Sequence, residues 1–334
     1  EDLVVAVAGN PNVGKSTIFN ALTGMHQHTG NWPGKTVSNA QGCFTSKTHS
    51  YVMVDIPGAY SLLPHSSEEE VARNFLCFQK PDICIVICDA ACLQRSLNLT
   101  LQIMEIVPNV IVCVNLMDEA QLRGISVDLK KLENLLGVPV TGTVARNKKS
   151  LNRLTELMDK MADQPRTEVS PLPCPAALEA LAQELEKTLP PMTGVTFSRR
   201  WLSLRLLEDE SSLFKETSLK CGWTVPQQQA IRSQLKNARS QLEQGGLEQS
   251  AVTDLIVTEI HRRAKNIAAQ CVSSAGEGGY SSKDQRIDRF LAGRKTAFPV
   301  MLMLLALVFW ITISGANMLS SGLSRLLFKV QDLL

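Results

Sequence analysis

The sequence lacks an excess of either charge, a paired-cysteine motif and any internal repeat. Lys and Arg number 34 against 32 Asp and Glu, and no clustered basic face points to a nucleic-acid partner. The nine cysteines include no CxxC pair, which is typical of reduced thiols in a cytoplasm rather than of a disulfide framework. Cys84 and Cys88 lie in an apolar strand-like run with Cys92 just beyond, which favours buried packing over metal ligation.

One uncharged stretch, residues 297–316 (AFPVMLMLLALVFWITISGA), has about the length that a helix needs to cross a hydrocarbon core. We predict a transmembrane helix over 296–316; the alternative is a buried helix of a soluble domain. Basic residues crowd the segment before it: Lys283, Arg286, Arg289, Arg294 and Lys295. By the positive-inside rule, residues 1–295 are expected in the cytoplasm and the amphipathic segment 317–334 on the other side.

Before that stretch, two regions differ in their hydrophobic pattern. Over residues 1–163, short apolar runs such as LVVAVA and NVIVCVN alternate with helix-compatible stretches, which predicts an α/β fold with a mostly parallel sheet. A proline-bearing linker follows, and residues 164–272 show only helical periodicity, as in RRWLSLRLLEDESSLF. We therefore predict an all-helical second domain, then a linker and basic segment over 273–295.

A phosphate-binding loop begins where the first predicted strand ends. The motif GxxxxGK[ST] stands between a strand and a helix, the context that confirms it. Its glycines let successive amides face phosphates, Lys15 supplies a cation to the β- and γ-phosphates, and Ser16 offers a hydroxyl to Mg²⁺. The predicted phosphate-binding residues are Gly9, Asn10, Pro11, Asn12, Val13, Gly14, Lys15, Ser16 and Thr17, together with Gly58.

Three further motifs follow in order, each at the end of a predicted strand. In the first, Asp55, Ile56, Pro57 and Gly58, the carboxylate is placed to hold Mg²⁺ through water and the Gly58 amide to approach the γ-phosphate. The second is Asn115, Leu116, Met117 and Asp118, whose final carboxylate can accept hydrogen bonds from N1 and N2 of guanine, a donor pair that adenine lacks. The third is Val144, Ala145 and Arg146, where a backbone amide can meet the guanine oxygen. Together they predict a guanine-nucleotide site.

These residues resemble one family, the bacterial ferrous iron transport protein B, or FeoB. The likeness rests on GNPNVGKSTIFNALTG, TGNWPGKTV, DIPGAYSL, NLMDEA, RGISVDLKKLENLLGVPV and RWLSLRLLEDE, and it extends to RIDRFLAGRKTAFPVMLML. It implies a Ras-like P-loop GTPase fold of the TrmE–Era type, then a helical spacer domain and a membrane pore, most of which is missing here. It also implies a bacterial inner-membrane location, Fe²⁺ as the transported ion, small cytoplasmic Feo accessory proteins as partners, and a homo-oligomer.

The resemblance assigns two switch segments. Switch I falls at about residues 25–39 and includes Asn31, Trp32, Pro33, Gly34, Lys35 and Thr36, with Thr36 ligating Mg²⁺ beside Ser16 and Asp55. Switch II begins at Asp55, and order and disorder of such segments is the usual GTPase switch. In this family the helical domain contacts the switches and is credited with favouring GDP binding. His26 and His28 have a spacing that could hold a metal, but a solvated loop is favoured.

Two departures from Ras-like patterns bear on catalysis. Leu116 replaces the lysine common in the guanine motif, so nucleotide affinity should be modest while Asp118 keeps specificity. Ala59 stands where a water-orienting glutamine is usual, so no glutamine at this position can orient the attacking water during hydrolysis. In relatives with an asparagine at the position of Asn12, K⁺ bound there supplies charge to the phosphates, so Lys15, Asn12 and Thr36 are the predicted catalytic residues. The alternative for Asn12 is a loop-stabilising hydrogen bond; Asn10 is expected to be structural.

The leading functional hypothesis is a slow, K⁺-stimulated GTPase that drives or gates Fe²⁺ import. A membrane-tethered regulatory GTPase that moves no ion is the alternative, because the two share fold and switch. A soluble GTPase of ribosome assembly or tRNA modification would predict a basic RNA-binding module, which the sequence does not show.

Overall fold

The computed structural model describes residues 2–24, 27–31, 38–63, 66–144, 148–166, 168–208, 211–244, 249–274 and 298–314. The chain divides into two compact units, residues 1–275 and 276–334. The division of the first unit at residue 163 stays a prediction, as do the other predicted domain boundaries.

A seven-stranded sheet organises the first unit, in the order β2-β3-β4-β1-β5-β6-β8. Its strands are β1 (Leu3–Gly9), β2 (Gln27–Asn31), β3 (Ser38–Thr45), β4 (Ser50–Asp55), β5 (Ile83–Asp89), β6 (Val110–Asn115) and β8 (Val140–Gly142). Strands β4, β1, β5, β6 and β8 run parallel to one another. Strands β2 and β3 add an antiparallel edge that was not predicted. The mostly parallel α/β prediction is confirmed.

Helices cover both faces of this sheet, as parallel strands require. The helices before the linker are α1 (Lys15–Thr23), α2 (Ser67–Phe78), α3 (Leu93–Met104), α4 (Met117–Leu122), α5 (Leu129–Leu136) and α6 (Lys148–Asp163). Successive side chains of a strand pack on opposite faces of the sheet. Ile85 packs in a core with α1 and α6, while Val86 packs in a second core with α2, α3 and α5. Cys84 and Cys88 are fully buried in that second core, as predicted, and Cys92 is exposed.

The second core continues into the helical region, formed by α7 (Ala176–Thr188), α8 (Arg199–Leu207), α9 (Ser211–Lys220), α10 (Val225–Gln244) and α11 (Gln249–Cys271). Every residue of α8 from Trp201 to Leu207 is buried, so this helix is central. The stretch 199–214, with its helical periodicity, contains two helices: α8 ends at Leu207 and α9 begins at Ser211.

A short strand pair joins the end of the helical region to the sheet domain. Strand β9 (Val272–Ser274) runs antiparallel to β7 (Ile125–Val127), and the amide of Asp128 donates to the carbonyl of Cys271 at 2.8 Å. Neither strand was predicted, since each has only three residues.

In the second unit, residues 298–314 form a helix with exposed apolar side chains. Among the residues that the structure describes, no helix has both the length and the apolar character to cross a membrane. The predicted span of 296–316 extends past the described helix at both ends, and it stays a prediction.

Candidate functional site: a phosphate loop and a guanine loop

The phosphate loop follows β1 and leads directly into α1. Gly14 has φ +85°, a left-handed conformation that favours glycine, and a Cβ there would lie 2.3 Å from Nδ2 of Asn115. Gly9 is also crowded, since a Cβ on it would lie 2.7 Å from the carbonyl oxygen of Ile87. No side chain caps the start of α1, so the first-turn amides of this helix face the loop and can bind phosphate oxygens.

Two side chains of the first turn of α1 meet the carboxylate that ends β4. Lys15 forms an ion pair with Asp55, and both side chains are largely buried. The hydroxyl of Ser16 donates to the other oxygen of Asp55 at 3.4 Å. The predicted partners from the phosphate loop and the Asp-x-x-Gly motif therefore lie together, and their hydroxyl and carboxylate oxygens are the ligand type that Mg²⁺ prefers.

The Asp-x-x-Gly turn is tied to the phosphate loop by its backbone. The amide of Ile56 donates to Val7 at 3.2 Å, and the amide of Ala59 donates to Gly9 at 3.3 Å. A Cβ on Gly58 would lie 3.2 Å from the nitrogen of Pro11, so the absence of a side chain permits this close approach. Ala59 is buried and apolar, so its side chain cannot orient a water.

The guanine motif is joined to the phosphate loop through one buried side chain. Asn115 is fully buried; its Nδ2 donates to the carbonyl of Val13 at 2.9 Å, and its Oδ1 accepts from the hydroxyl of Thr143 at 3.1 Å. Leu116 then adopts φ +59°, which turns the chain into α4 and places Asp118, exposed, in its first turn. Thr143 was not predicted as a site residue, and no local signal marks it, because its role depends on the pairing of β6 with β8.

The third guanine motif is described only at its first residue. The amide of Val144 donates to the hydroxyl of Ser150 at 3.1 Å, and that hydroxyl donates to the carbonyl of Val144 at 2.9 Å. Ala145 and Arg146 lie outside the described residues. So do His26 and Trp32, Pro33, Gly34, Lys35 and Thr36 of switch I, while Asn31 and His28 are described only as backbone of β2. The predicted Mg²⁺ contact of Thr36 stays a prediction.

The two asparagines of the loop differ in environment. Asn12 is exposed and has φ +65°, a conformation that asparagine tolerates better than most residues. Its side chain is open to solvent, where an amide oxygen can coordinate a cation. Asn10 is buried, and among the described residues neither its Oδ1 nor its Nδ2 has a hydrogen-bond partner. The structural role predicted for Asn10 stays a prediction.

The segment predicted as switch II, which follows Asp55, is held against α3. The side-chain oxygen of Gln102 accepts from the hydroxyl of Ser61 at 3.0 Å and from the amide of Leu62 at 2.8 Å. The guanidinium carbon of Arg95 lies 4.3 Å from the ring centroid of Tyr60. Helix α3 also packs against α11, so it contacts both switch II and the helical region. Sequence reasoning missed Gln102, because a glutamine in an amphipathic helix carries no signal of such a role.

The end of α3 is also tied to the helical region. The side chain of Glu105 accepts from the amide of Leu172 at 3.0 Å and lies 3.6 Å from Nη1 of Arg200. Nη2 of Arg200 donates to Glu179 at 2.7 Å. Burial raises the pKa of Glu105 despite the nearby arginines. This partly buried network joins the nucleotide domain to α7 and α8. Within the described residues, no group of three or more His, Cys, Asp or Glu side chains is placed to hold a metal ion.

Known protein families and curated proteins are similar to this chain over most of its length. The family described as ferrous iron transport protein B matches residues 3–158, and the FeoB cytosolic helical domain matches residues 175–273. The Fe(2+) transporter FeoB of Escherichia coli K12 is 30% identical over 318 residues, which cover 93% of this chain and 39% of that protein. FeoB of Salmonella typhimurium LT2 is 29% identical over 320 residues, with the same coverage. The chain thus spans less than half the length of these relatives.

Solved structures of FeoB cytosolic domains are similar to the first unit. The Thermotoga maritima domain in its GDP form is 28% identical with a TM-score of 0.66, covering 82% of this chain and 99% of that one. The same domain in its GMPPNP form also gives 0.66. The Legionella pneumophila domain gives 0.67 at 28% identity, covering 81% of this chain and all of that one. The chain therefore belongs to the FeoB family, with a P-loop GTPase domain followed by the family's cytosolic helical domain.

Proposed function

We propose that this chain binds and hydrolyses GTP as the cytoplasmic part of a ferrous iron transporter in a bacterial inner membrane, and that its nucleotide state drives or gates Fe²⁺ uptake. The observation that carries the GTP assignment is Asn115, which joins the guanine loop to the carbonyl of Val13 in the phosphate loop. The base and the phosphates of a guanine nucleotide can therefore bind at one continuous site.

Lys15 would move from Asp55 to the β- and γ-phosphates when nucleotide binds, because a polyphosphate carries more negative charge than one carboxylate. Asp55 and Ser16 are then free to hold Mg²⁺, with Thr36 completing the set. When bound, Mg²⁺ supplies charge that neutralises the phosphates. The guanine contacts are assigned to Asp118 and the loop from Val144 to Arg146.

We assign the missing charge at the transition state to K⁺ held by Asn12. Buried Ala59 cannot orient the attacking water, so another group has to stabilise the transition state. Asn12 is exposed at the front of this loop, where its amide oxygen is a suitable K⁺ ligand. Lys15, Asn12 and Thr36 are the proposed catalytic set.

The GTPase rate measured in KCl and in NaCl tests the cation assignment. We expect faster hydrolysis in KCl and loss of that difference in Asn12→Ala. Asn98→Ala, which removes an asparagine of α3 outside the phosphate loop, is the matched control and should keep the K⁺ effect. Equal rates in the two salts for the unchanged chain would reject the K⁺ role.

Fe²⁺ uptake by cells carrying the complete gene tests the transport assignment. Asp118→Asn should lower guanine selectivity and reduce uptake together. Uptake that stays undiminished while GTP selectivity is lost would favour the alternative, a membrane-tethered regulatory GTPase that moves no ion. Accessory proteins and a homo-oligomer remain part of the proposal.

A further inference from the structure

A cleft of about 760 Å³ lies between α9 and α10 in the helical region, away from the nucleotide site. Its floor is apolar and consists of Leu206, Phe214 and Leu235, which are largely buried. We call this feature the α9–α10 cleft. Its volume falls within the usual range of ligand-binding clefts, about 300 to 1,000 Å³.

Positive side chains line both walls of the cleft. Lys215 stands on α9, while Arg232 and Lys236 stand on consecutive turns of α10. Within the described residues, Lys215, Arg232 and Lys236 form no ion pair with a carboxylate, whereas Arg239, the fourth cation of the lining, donates to the carbonyl of Leu206 at 3.0 Å. Glu243 is the acidic residue that the described lining contains. Arg232 lies over the ring of Phe214, 5.3 Å from its centroid, so its long side chain stays extended along the floor.

The arrangement of these charges indicates what they bind. Arg232 and Lys236 are separated by about 6 Å along the axis of α10, and Lys215 faces them across an apolar strip. A single phosphate group would leave the apolar floor of Leu206, Phe214 and Leu235 uncovered, whereas an amphipathic helix would cover it. Carboxylates four residues apart on a helix have the same spacing, and an apolar side chain between them would meet Phe214. A lipid surface would fit a flat or convex patch better than a cleft between helices.

We propose that the α9–α10 cleft is the docking surface for an acidic, amphipathic helical segment of a partner protein. The cleft contacts the nucleotide domain through α9. Nη2 of Arg73 on α2 donates to the hydroxyl of Ser212, a lining residue, at 3.3 Å, and Nδ2 of Asn74 donates to Glu216 at 2.9 Å. Helix α2 begins shortly after switch II, so docking is coupled to the nucleotide state.

Fluorescence anisotropy with a designed peptide tests the docking. The probe is a labelled helix of about four turns with glutamates four residues apart and leucines between them, and its partner is the 334-residue chain in neutral detergent, loaded with GDP. The double variant Arg232→Glu with Lys236→Glu should weaken binding about tenfold, which corresponds to about 1.4 kcal/mol. The matched control reverses two exposed lysines outside the cleft, Lys160→Glu with Lys187→Glu, and should leave the affinity within about twofold.

Other outcomes would overturn the proposal. Equal binding of a peptide with glutamine in place of glutamate would remove the charge argument, as would an unchanged affinity in the double variant. Anionic phosphatidylglycerol vesicles that bind through the same two residues, with no peptide binding, would assign the cleft to lipid. A normal affinity of both variants for fluorescent GDP shows that they fold, and it keeps this test separate from the GTPase assignment.

The coupling to α2 is tested with the same probe. The affinity of the peptide should differ between the chain loaded with GDP and the chain loaded with a non-hydrolysable GTP analogue, and this difference should shrink in Ser212→Ala. Equal affinities in the two nucleotide states would refute the coupling.

Discussion

Replacing Asn115 by alanine should uncouple the guanine loop from the phosphate loop. The substitution removes the bond to the Val13 carbonyl at 2.9 Å and the bond from Thr143 at 3.1 Å, both in a fully buried position. A buried group left without a partner costs about 1–3 kcal/mol. The carbonyl of Val13 loses the bond from Asn115, whereas the hydroxyl of Thr143 keeps a contact with Sγ of Cys113 at 3.2 Å. We therefore expect the free energy of unfolding to fall by about 1–3 kcal/mol, measured by urea denaturation.

The affinity for fluorescent GDP should fall at least about tenfold in the same variant, because the carbonyl of Val13 and the turn into α4 lose their common support. Thr143→Val is the matched control: it removes one of the two bonds, keeps the shape, and should give about half the loss of stability. Gly14→Ala should mimic Asn115→Ala, since its Cβ would lie 2.3 Å from Nδ2 of Asn115. If Asn115→Ala bound GDP as tightly as the unchanged chain, the hydrogen bonds of Asn115 would not be needed for nucleotide binding, and this prediction would be refuted.

Two further predictions concern the rest of the first unit. Burial pushes the pKa of Asp159 up, but hydrogen bonds from Ser46 and Tyr51 more than offset it, so the pKa lies below its usual value. Stability from this carboxylate is therefore present above about pH 4 and is lost as the pH falls through the lowered pKa; the unfolding free energy of Asp159→Asn should depend less on pH in this acid range, and parallel curves would contradict this. Burial also raises the pKa of Cys88 and Cys113 to about 12. Iodoacetamide should therefore modify exposed Cys43 and Cys92 and spare these two in the native chain, as read by mass spectrometry.

Most of the parallel sheet could be predicted because its strands are short, continuous apolar runs. Strands β1, β4, β5, β6 and β8 were each indicated by such runs, and burial on both faces is what makes them apolar. Strands β2, β3, β7 and β9 were missed. Strand β3, SNAQGCFT, has few apolar residues because it lies toward the antiparallel edge, and β7 has only three residues. Their pairing partners, rather than their own composition, make them strands.

The nucleotide motifs could be read from the sequence because each needs a fixed local geometry that only a few residue types supply. Glycine at position 14 follows from a left-handed turn, and Lys15, Ser16 and Asp55 follow from the charge and ligands that a phosphate with Mg²⁺ requires. The contacts between these motifs depend on the tertiary structure alone. The bond from Asn115 to Val13 joins residues far apart in the chain, and it exists because β1 and β6 flank β5 and end at the same edge of the sheet. The contacts of α2 with α9 and of α3 with α11 likewise depend on packing between regions whose sequences carry no sign of one another.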